Sequence, residues 1–126
     1  MRGFILVMSI LTAILVLLFF FQGTLFKTSS RMLTDIDKIK KYVDENNWDG
    51  VDYEMARLIS EWEETSETFE FFVDHQEVDL MMLSIYKANE YRRYRETPEF
   101  MAEIVNLERL VDHIPNKEKF CIENIL

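Results

Sequence analysis

The feature that most constrains this chain is a run of nineteen residues without a charged side chain, from Gly3 to Phe21. The uncharged stretch continues to Phe26 and ends at Lys27. As a helix these roughly 24 residues are about 36 Å long, enough to cross a hydrocarbon core of about 30 Å with some tilt. A lone segment in lipid must satisfy its own backbone hydrogen bonds and is therefore a helix. The sequence predicts one transmembrane helix from Gly3 to Phe26.

A cleaved signal peptide and a buried core helix also contain long apolar runs. The apolar part of a signal peptide is only about 7 to 15 residues long and ends at a small-x-small site. The residues that follow Phe21 offer no good pair of small residues for such a site. A core helix that is apolar on every face needs more surrounding protein than 126 residues provide. An uncleaved anchor over residues 1–26 is the favoured interpretation.

The charges that flank the anchor give opposing indications of its orientation. Arg2 precedes it, whereas Lys27, Arg31 and three further lysines follow it closely. Counted literally, these charges would keep the large domain in the cytoplasm. The very short N-terminal tail is instead typical of a signal-anchor, which exports the domain that follows. We expect a single-pass protein of the cell membrane with an extracytoplasmic C-terminal domain.

Residues 27–126 are enough for one domain with a modest core. This part carries all 23 acidic residues and 13 of the 14 basic ones, a net charge of −10. Such a surface repels nucleic acid and anionic lipid headgroups, so we expect neither as a general partner. With 3 Gly and 2 Pro, the chain has too few turn-forming residues for an all-β fold. The single cysteine, Cys121, excludes an internal disulfide and a cysteine-based metal cluster.

Four segments beyond the anchor have apolar residues at helical spacing. They are Met32, Ile36, Ile39 and Val43; Val51, Met55, Leu58, Trp62, Phe69 and Phe72; Val78, Met81, Met82, Ile85 and Ala88; and Phe100, Ile104, Leu107, Val111 and Ile114. The first segment either continues the membrane helix or restarts at Ser29 or Ser30. It is expected to end near Asn46 and Asn47, since Asn tolerates the left-handed conformation that closes a helix.

The remaining helix boundaries also have local signals. Asp49 is a candidate N-cap for the second helix, with Trp48 and Tyr53 as a hydrophobic staple. Asp74, followed by Glu77, predicts a capping box at the start of the third helix. Thr97 and Pro98 are suited to the start of the fourth, and Pro115 is expected to end it. The tail, residues 116–126, is then predicted to be a short helix that packs back on the bundle.

The predicted connections are two to four residues long, which makes neighbouring helices antiparallel. The expected fold is all-α: an N-terminal transmembrane helix followed, over residues 27–126, by an acidic antiparallel four-helix bundle, or two αα-hairpins. Asn47-Trp48 followed by Ala56 weakly resembles a helix junction of tetratricopeptide-type repeats. Two hairpins fall short of the three units that a solenoid usually needs.

The two histidines are the candidate metal ligands. His75 and Asp79 are four residues apart, and His113 follows Asp112, so a site with two histidines and two carboxylates is conceivable. The simpler interpretation is that both Asp-His pairs lie at helix boundaries, where Asp caps a helix. We therefore expect no metal and no other cofactor, and keep a metal-binding protein or metal-dependent enzyme using His75, Asp79 and His113 as an alternative.

No catalytic motif is apparent in the sequence. It has no nucleophile elbow, no glycine-rich phosphate loop and no His-Glu-x-x-His pattern. The acidic run Glu61, Glu63, Glu64, Glu67 and Glu70 is interpreted as a solvated helix face. Because the domain is negatively charged overall, the segment Tyr91-Arg92-Arg93-Tyr94-Arg95 is interpreted as a patch at a helix end, or as a local contact with an acidic partner. We expect no catalytic residue and no enzymatic activity.

Several features, taken in order, are similar to a known family. They are the N-terminal anchor, Asn47-Trp48 with Ala56 and Trp62, Asp74-His75-x-Glu77 with Asp79, Glu103, His113-Ile114-Pro115 with Glu118, and Asn124-Ile125-Leu126. The chain resembles a bacterial family of unknown function, small single-pass membrane proteins best known from endospore-forming Gram-positive bacteria. The resemblance implies an all-helical, membrane-anchored domain without an established catalytic residue. Phe69 departs from it, since a tryptophan is expected there.

The function that these observations favour is a non-catalytic interaction or accessory module of a membrane complex. Its partner would be the membrane, spanned once, together with another membrane or envelope protein and no nucleic acid. Phe71, which lies off the apolar stripe, and Met81 and Met82 in the third helix are the expected interface residues. A structural homo-oligomer is a further alternative.

Overall fold

The structure is a computed structural model that describes residues 1–125 and the side chains of residues 1–114. The described residues form four α-helices. They are α1 (Arg2–Asp44), α2 (Trp48–Phe72), α3 (His75–Arg93) and α4 (Thr97–Ile125). The described residues contain no strand. The predicted all-α fold is confirmed.

The first helix is continuous over 43 residues, from Arg2 to Asp44. At 1.5 Å per residue it is about 64 Å long. It does not restart at Ser29 or Ser30. The hydroxyl of Thr34 donates to the carbonyl of Ser30 at 3.0 Å, so this polar side chain is satisfied within the continuous helix. Its first twenty residues are exposed on all sides, whereas from Leu25 onwards one face is buried. One unbroken helix is thus both the apolar segment and the first member of the bundle.

The turn between α1 and α2 is made by two asparagines. Asn46 has a φ of 54°, the left-handed conformation expected at the end of α1. The predicted N-cap Asp49 is wrong by two residues, because the side chain of Asn47 accepts a hydrogen bond from the N–H of Gly50 at 3.1 Å. The helix starts at Trp48, so the expected staple with Tyr53 does not form. The Trp48 ring instead contacts Phe100, with centroids 5.9 Å apart.

The start of α3 agrees with the sequence, and α4 differs from it at both ends. Asp74 is the N-cap of α3 and accepts from the N–H of Gln76 at 3.0 Å. The first helical residue of α4 is Thr97, the residue predicted as its cap, and Pro98 lies within the first turn. The predicted end at Pro115 is wrong, since α4 continues to Ile125. Proline removes one backbone hydrogen bond, but its φ fits a helix, so it weakens α4 without ending it.

The helices form a closed ring in which each contacts two neighbours: α1 packs on α2 and α4, and α3 packs on α2 and α4. The connections are residues 45–47, 73–74 and 94–96, short enough to hold successive helices antiparallel. The predicted apolar stripes fill the centre, and all five residues of the α4 stripe are buried. Met82 is the main exception, because it is exposed. Ser84 is buried instead, and its hydroxyl oxygen accepts a hydrogen bond from the side-chain amide of Asn106 at 2.6 Å.

Candidate interaction surface

The outer face of α3 is unusually apolar for a surface. Leu80, Met82, Leu83 and Tyr86 are between 40% and 51% exposed. The helix has apolar side chains on two faces, because Val78, Met81, Ile85 and Ala88 turn inward at the same time. Exposed apolar side chains that cluster on one face are typical of binding surfaces. We call Leu80, Met82, Leu83 and Tyr86 the α3 patch.

The three residues that the sequence suggested for an interface lie in different places. Met81 is fully buried in the bundle core, so it is not available to a partner, and this expectation is corrected. Met82 belongs to the α3 patch, and Phe71 is 86% exposed at the end of α2. Leu80, Leu83 and Tyr86 were missed, although their spacing of three residues is itself a second apolar series along the helix.

A shallow groove lies between α2 and α3, where its α3 residues follow the α3 patch in sequence. It has a volume of about 360 Å³ and is lined by Asp52, Ala56, Ile59, Ser60, Glu63, Asn89 and Arg92. Of the helix pairs in contact, α2 and α3 contact each other least. The groove makes the surface between these two helices concave.

An ionic clamp closes the groove at the end where α3 turns into α4. Both Arg92 and Arg95 donate to the Asp52 carboxylate: Arg92 Nη1 at 2.6 Å, and the two terminal nitrogens of Arg95 at 2.8 and 3.0 Å. Hydrogen bonds from Arg95 contribute most to lowering the pKa of Asp52, and burial opposes them. The Arg95 guanidinium also lies 5.0 Å from the Trp48 ring centroid. The basic segment 91–95 is therefore occupied in large part by contacts within the protein.

Acidic side chains are buried between α1 and α2. Asp35 and Glu54 are each 3% exposed, and Arg57 lies 3.9 Å from Asp35 and 3.7 Å from Glu54. Glu61 is partly buried beside them, which corrects its interpretation as part of a solvated face; Glu63, Glu64, Glu67 and Glu70 are exposed as expected. One guanidinium thus serves two buried carboxylates, while Arg31 lies 3.9 Å from Glu61.

The same cluster shifts the protonation of Glu61. Burial is the main cause that raises the pKa of Glu61, followed by the charge of Asp35. A buried oxygen of Asp35 has no hydrogen-bond donor, and a protonated Glu61 would supply one. The arrangement stores unfavourable electrostatic energy between α1 and α2, which neutralising one carboxyl group relieves.

The structure does not assemble the conceivable metal site. His75, Asp79 and His113 are all exposed, and His113 lines only a shallow cleft with Arg109, Leu110 and Asp112. Among the described residues, no group of three or more His, Cys, Asp or Glu side chains could hold a metal ion. The side chain of Cys121 lies outside the described residues.

One described helix, α1, is long and apolar enough to cross a membrane, and its most apolar window is not buried at all within the protein.

Comparison with known proteins gives one match. No curated protein and no solved structure matches the chain. A family model matches residues 19–125, which begin near the end of the exposed apolar part of α1 and include the whole bundle. This match confirms the resemblance to a family of unknown function. Because it extends over most of the sequence, the chain belongs to the family described as Domain of unknown function (DUF4363).

Proposed function

We propose that this chain is a single-pass protein of the cell membrane whose bundle is a non-catalytic interaction module, and that the α3 patch binds a helix of another membrane-anchored protein. The observation that carries this proposal is the α3 patch itself. Leucine, methionine and tyrosine are side chains that bury large areas against a partner helix, and here they line one exposed side of α3.

Charge indicates the chemistry of the partner. Asp79 lies on the same face of α3 as Leu83 and Tyr86 and is exposed, and Glu63 is exposed at the groove. The domain as a whole carries a net charge of −10. A partner helix that fits this surface carries Leu, Ile or aromatic residues on one face and Lys or Arg at its border.

The height of the patch above the bilayer favours a partner held in the same membrane. The N-terminal end of α3 lies three residues after Phe72, whose ring stacks on Phe21 of α1 at 4.9 Å. The patch begins five residues into α3 and ends eleven residues into it, so it lies roughly 8 to 17 Å along the helix from that end. A juxtamembrane helix reaches this level directly, and confinement of both proteins to one bilayer raises their effective concentration.

The bundle is placed on the extracytoplasmic side in this proposal. The support is the apolar segment itself, which resembles a signal-anchor, a common way to export the domain that follows. Cysteine substitution at the exposed Lys38 tests it in a Cys121→Ser chain. A membrane-impermeant thiol reagent is expected to label intact cells; labelling only after lysis would place the bundle in the cytoplasm.

Site-specific photo-cross-linking in intact cells tests the binding surface. A photoreactive residue at Leu83 is expected to capture a second membrane protein with a basic amphipathic segment next to its membrane helix. The same residue at Lys38, exposed on α1, is the matched control and should not capture it. Leu83→Glu should abolish capture by a probe at Leu80 while leaving helix content and thermal midpoint unchanged.

Two other outcomes would contradict this assignment. Cross-links from Leu83 only to a second copy of the chain would favour the homo-oligomer instead. Equal capture from Leu83 and Lys38 would show that the α3 patch is not a specific surface.

A further inference from the structure

We infer that the turn between α2 and α3 is a second membrane contact, in which Phe71 inserts into the interfacial region of the bilayer beside α1. This inference rests on the proposed anchoring by α1. It goes beyond that proposal, because a single anchor would equally allow the bundle to stand clear of the lipid.

An aromatic cluster joins the turn to the apolar part of α1. The rings of Phe72 and Phe21 are stacked with centroids 4.9 Å apart and planes at 30°. Phe71 lies 6.4 Å from Phe72, and Phe20 lies 6.3 Å from Phe21. The end of α2 is therefore fixed against the same turn of α1 at which the fully exposed apolar residues end.

The length of α1 places this cluster at the boundary of the hydrocarbon core. A core of about 30 Å needs about 20 helical residues. Counted from Gly3, the start of the uncharged run, about twenty residues end near Gln22. Phe21 and the Phe72 ring stacked on it therefore lie at the edge of the lipid. A tilted helix needs more residues to cross, which would draw the turn deeper.

Phe71 has the exposure that this arrangement requires. Its side chain is 86% exposed, which is more than that of any other large apolar residue described after Phe20 in the sequence. Among the described aromatic rings, that of Phe71 contacts only the ring of Phe72. Water therefore covers most of the Phe71 side chain when no bilayer is present. Phenylalanine is among the residues that amphipathic segments bury at the boundary between headgroups and acyl chains.

Charges limit how deep the turn can go and which lipid it prefers. Glu70 and Asp74 are exposed on either side of Phe71, and Asp74 caps α3. Both carboxylates must stay among the headgroups. Since like charges repel, the contact should be deeper in zwitterionic bilayers than in anionic ones.

Spin labels on the full-length protein in phosphatidylcholine vesicles test the contact. Single cysteines at Phe71, Leu11 and Tyr94 are labelled in a Cys121→Ser chain. Tyr94 is the matched control: it is an exposed aromatic residue in the α3–α4 turn, at the opposite end of the bundle. Collision with oxygen, relative to a water-soluble nickel complex, is expected to be severalfold higher at Phe71 than at Tyr94. Adding anionic lipid should reduce that ratio.

The label at Leu11 separates the two proposals. Oxygen-rich, nickel-poor surroundings at Leu11 together with water-like surroundings at Phe71 would overturn the second contact alone. Water-like surroundings at Leu11 would overturn the anchoring and, with it, this inference.

Discussion

Gly50 shows how one side chain can fix the approach of two helices. The ring of Tyr42, near the end of α1, packs directly over Gly50 in the first turn of α2. A Cβ atom at Gly50 would lie 2.7 to 2.9 Å from three atoms of that ring. These are ring atoms close to the backbone of Tyr42 and cannot simply rotate away. The absence of a side chain at Gly50 therefore lets α1 and α2 meet closely at their turn.

We expect Gly50→Ala to destabilise the bundle by roughly 1 to 3 kcal/mol from overpacking, less the gain of up to about 1 kcal/mol that alanine brings to a helix. Thermal unfolding followed by circular dichroism in detergent measures it. Gly23→Ala is the control, because nothing lies within 4 Å of the added atom there. A Tyr42→Ala background should remove the penalty; an equal penalty in that background would contradict the packing explanation.

Glu61 makes the stability of the bundle depend on pH in an unusual direction. Its pKa in the folded protein is raised, chiefly by burial, above the ordinary value of 4.5. A raised pKa means that the folded state binds the proton more tightly than the unfolded state. The corresponding stabilisation is fully present below the unfolded pKa and is lost as pH rises through the folded one.

We therefore expect unfolding free energy to rise as pH falls from 7 towards 4.5, and Glu61→Gln to flatten this rise. The variant should also be more stable than the wild type at pH 7. Denaturant titrations at several pH values measure both effects. Glu64→Gln, an exposed carboxyl group three residues away, is the control and should keep the wild-type profile. If the unfolding free energy of Glu61→Gln depended on pH as steeply as that of the wild type, Glu61 would not be the cause of the pH dependence.

Single residues differ in how much their sequence reveals. Asn46 in the left-handed conformation and Asp74 as an N-cap follow from local chemistry and were predicted correctly. Arg95 also has a positive φ, 55°, which arginine rarely adopts. Its conformation accompanies contacts with Asp52, 43 residues away, and with Trp48. The residues next to Arg95 in sequence do not indicate such distant partners. Neither the conformation of this turn nor the burial of Asp35 and Glu54 could therefore be predicted.

Among the elements, α3 depends most on the ionic clamp. Asp52 lies in the first turns of α2, whereas Arg92 is in the last turn of α3 and Arg95 in the following connection. The clamp thus ties the end of α3 and the connection that follows it to α2, the neighbour that α3 contacts least. Removing it should loosen the end of α3 before the rest of the bundle.

Asp52→Asn is expected to lower the free energy of unfolding by about 1 kcal/mol, the scale of a partly exposed pair with good geometry. Hydrogen exchange should become faster first in residues 89–96. Because the pKa of Asp52 is lowered, its stabilisation is present above 3.8 and is lost as pH falls through the lower folded value. The variant and the wild type should therefore converge in acid. Asp37→Asn, at an exposed position on α1, is the control. Unchanged protection from hydrogen exchange at the end of α3 in Asp52→Asn would contradict the role of the clamp.

The rotation of α3 about its axis was only partly predictable. Apolar residues occupy both its inner and its outer face, so periodicity alone could not assign Met81 to the core and Met82 to the surface. Contacts with two neighbours decide it: Ser84 bonds Asn106, and Lys87 lies 3.5 Å from Glu103 of α4. These partners turn the side containing Met82 outward. The continuation of α4 past Pro115 was missed for a different reason, since proline disfavours a helix interior without forbidding it.

For the whole molecule, the composition and the spacing of apolar residues were sufficient to predict the fold. Short connections and four apolar stripes predicted an antiparallel bundle, and the structure has one. The uncharged run predicted a long apolar helix, and α1 contains it. Whether the apolar helix continues into the bundle was left open. Ser29 and Ser30 could have started a new helix, and no glycine or proline between Leu25 and Asp44 marks a break.

We expect the full-length chain to stay in the membrane fraction after alkaline carbonate extraction. The double variant Leu11→Arg/Leu15→Arg should be released, because each arginine at the centre of a spanning helix disfavours insertion by roughly 2.5 to 3.5 kcal/mol. Leu80→Arg/Leu83→Arg is the matched control, with the same substitutions outside the proposed span, and it should remain bound. Release of both variants to the same extent would contradict the assignment of the anchor.

In the proposed membrane anchoring, the unbroken course of α1 would couple the domain mechanically to the lipid. About 22 residues separate Gln22 from the far end of α1, a lever of roughly 33 Å without a hinge. A change of about 10° in the lean of the spanning part would swing the far end sideways by roughly 6 Å. Spanning helices lean more in thin bilayers than in thick ones. Local bilayer thickness would then set where the outer surface of α3 stands relative to its neighbours.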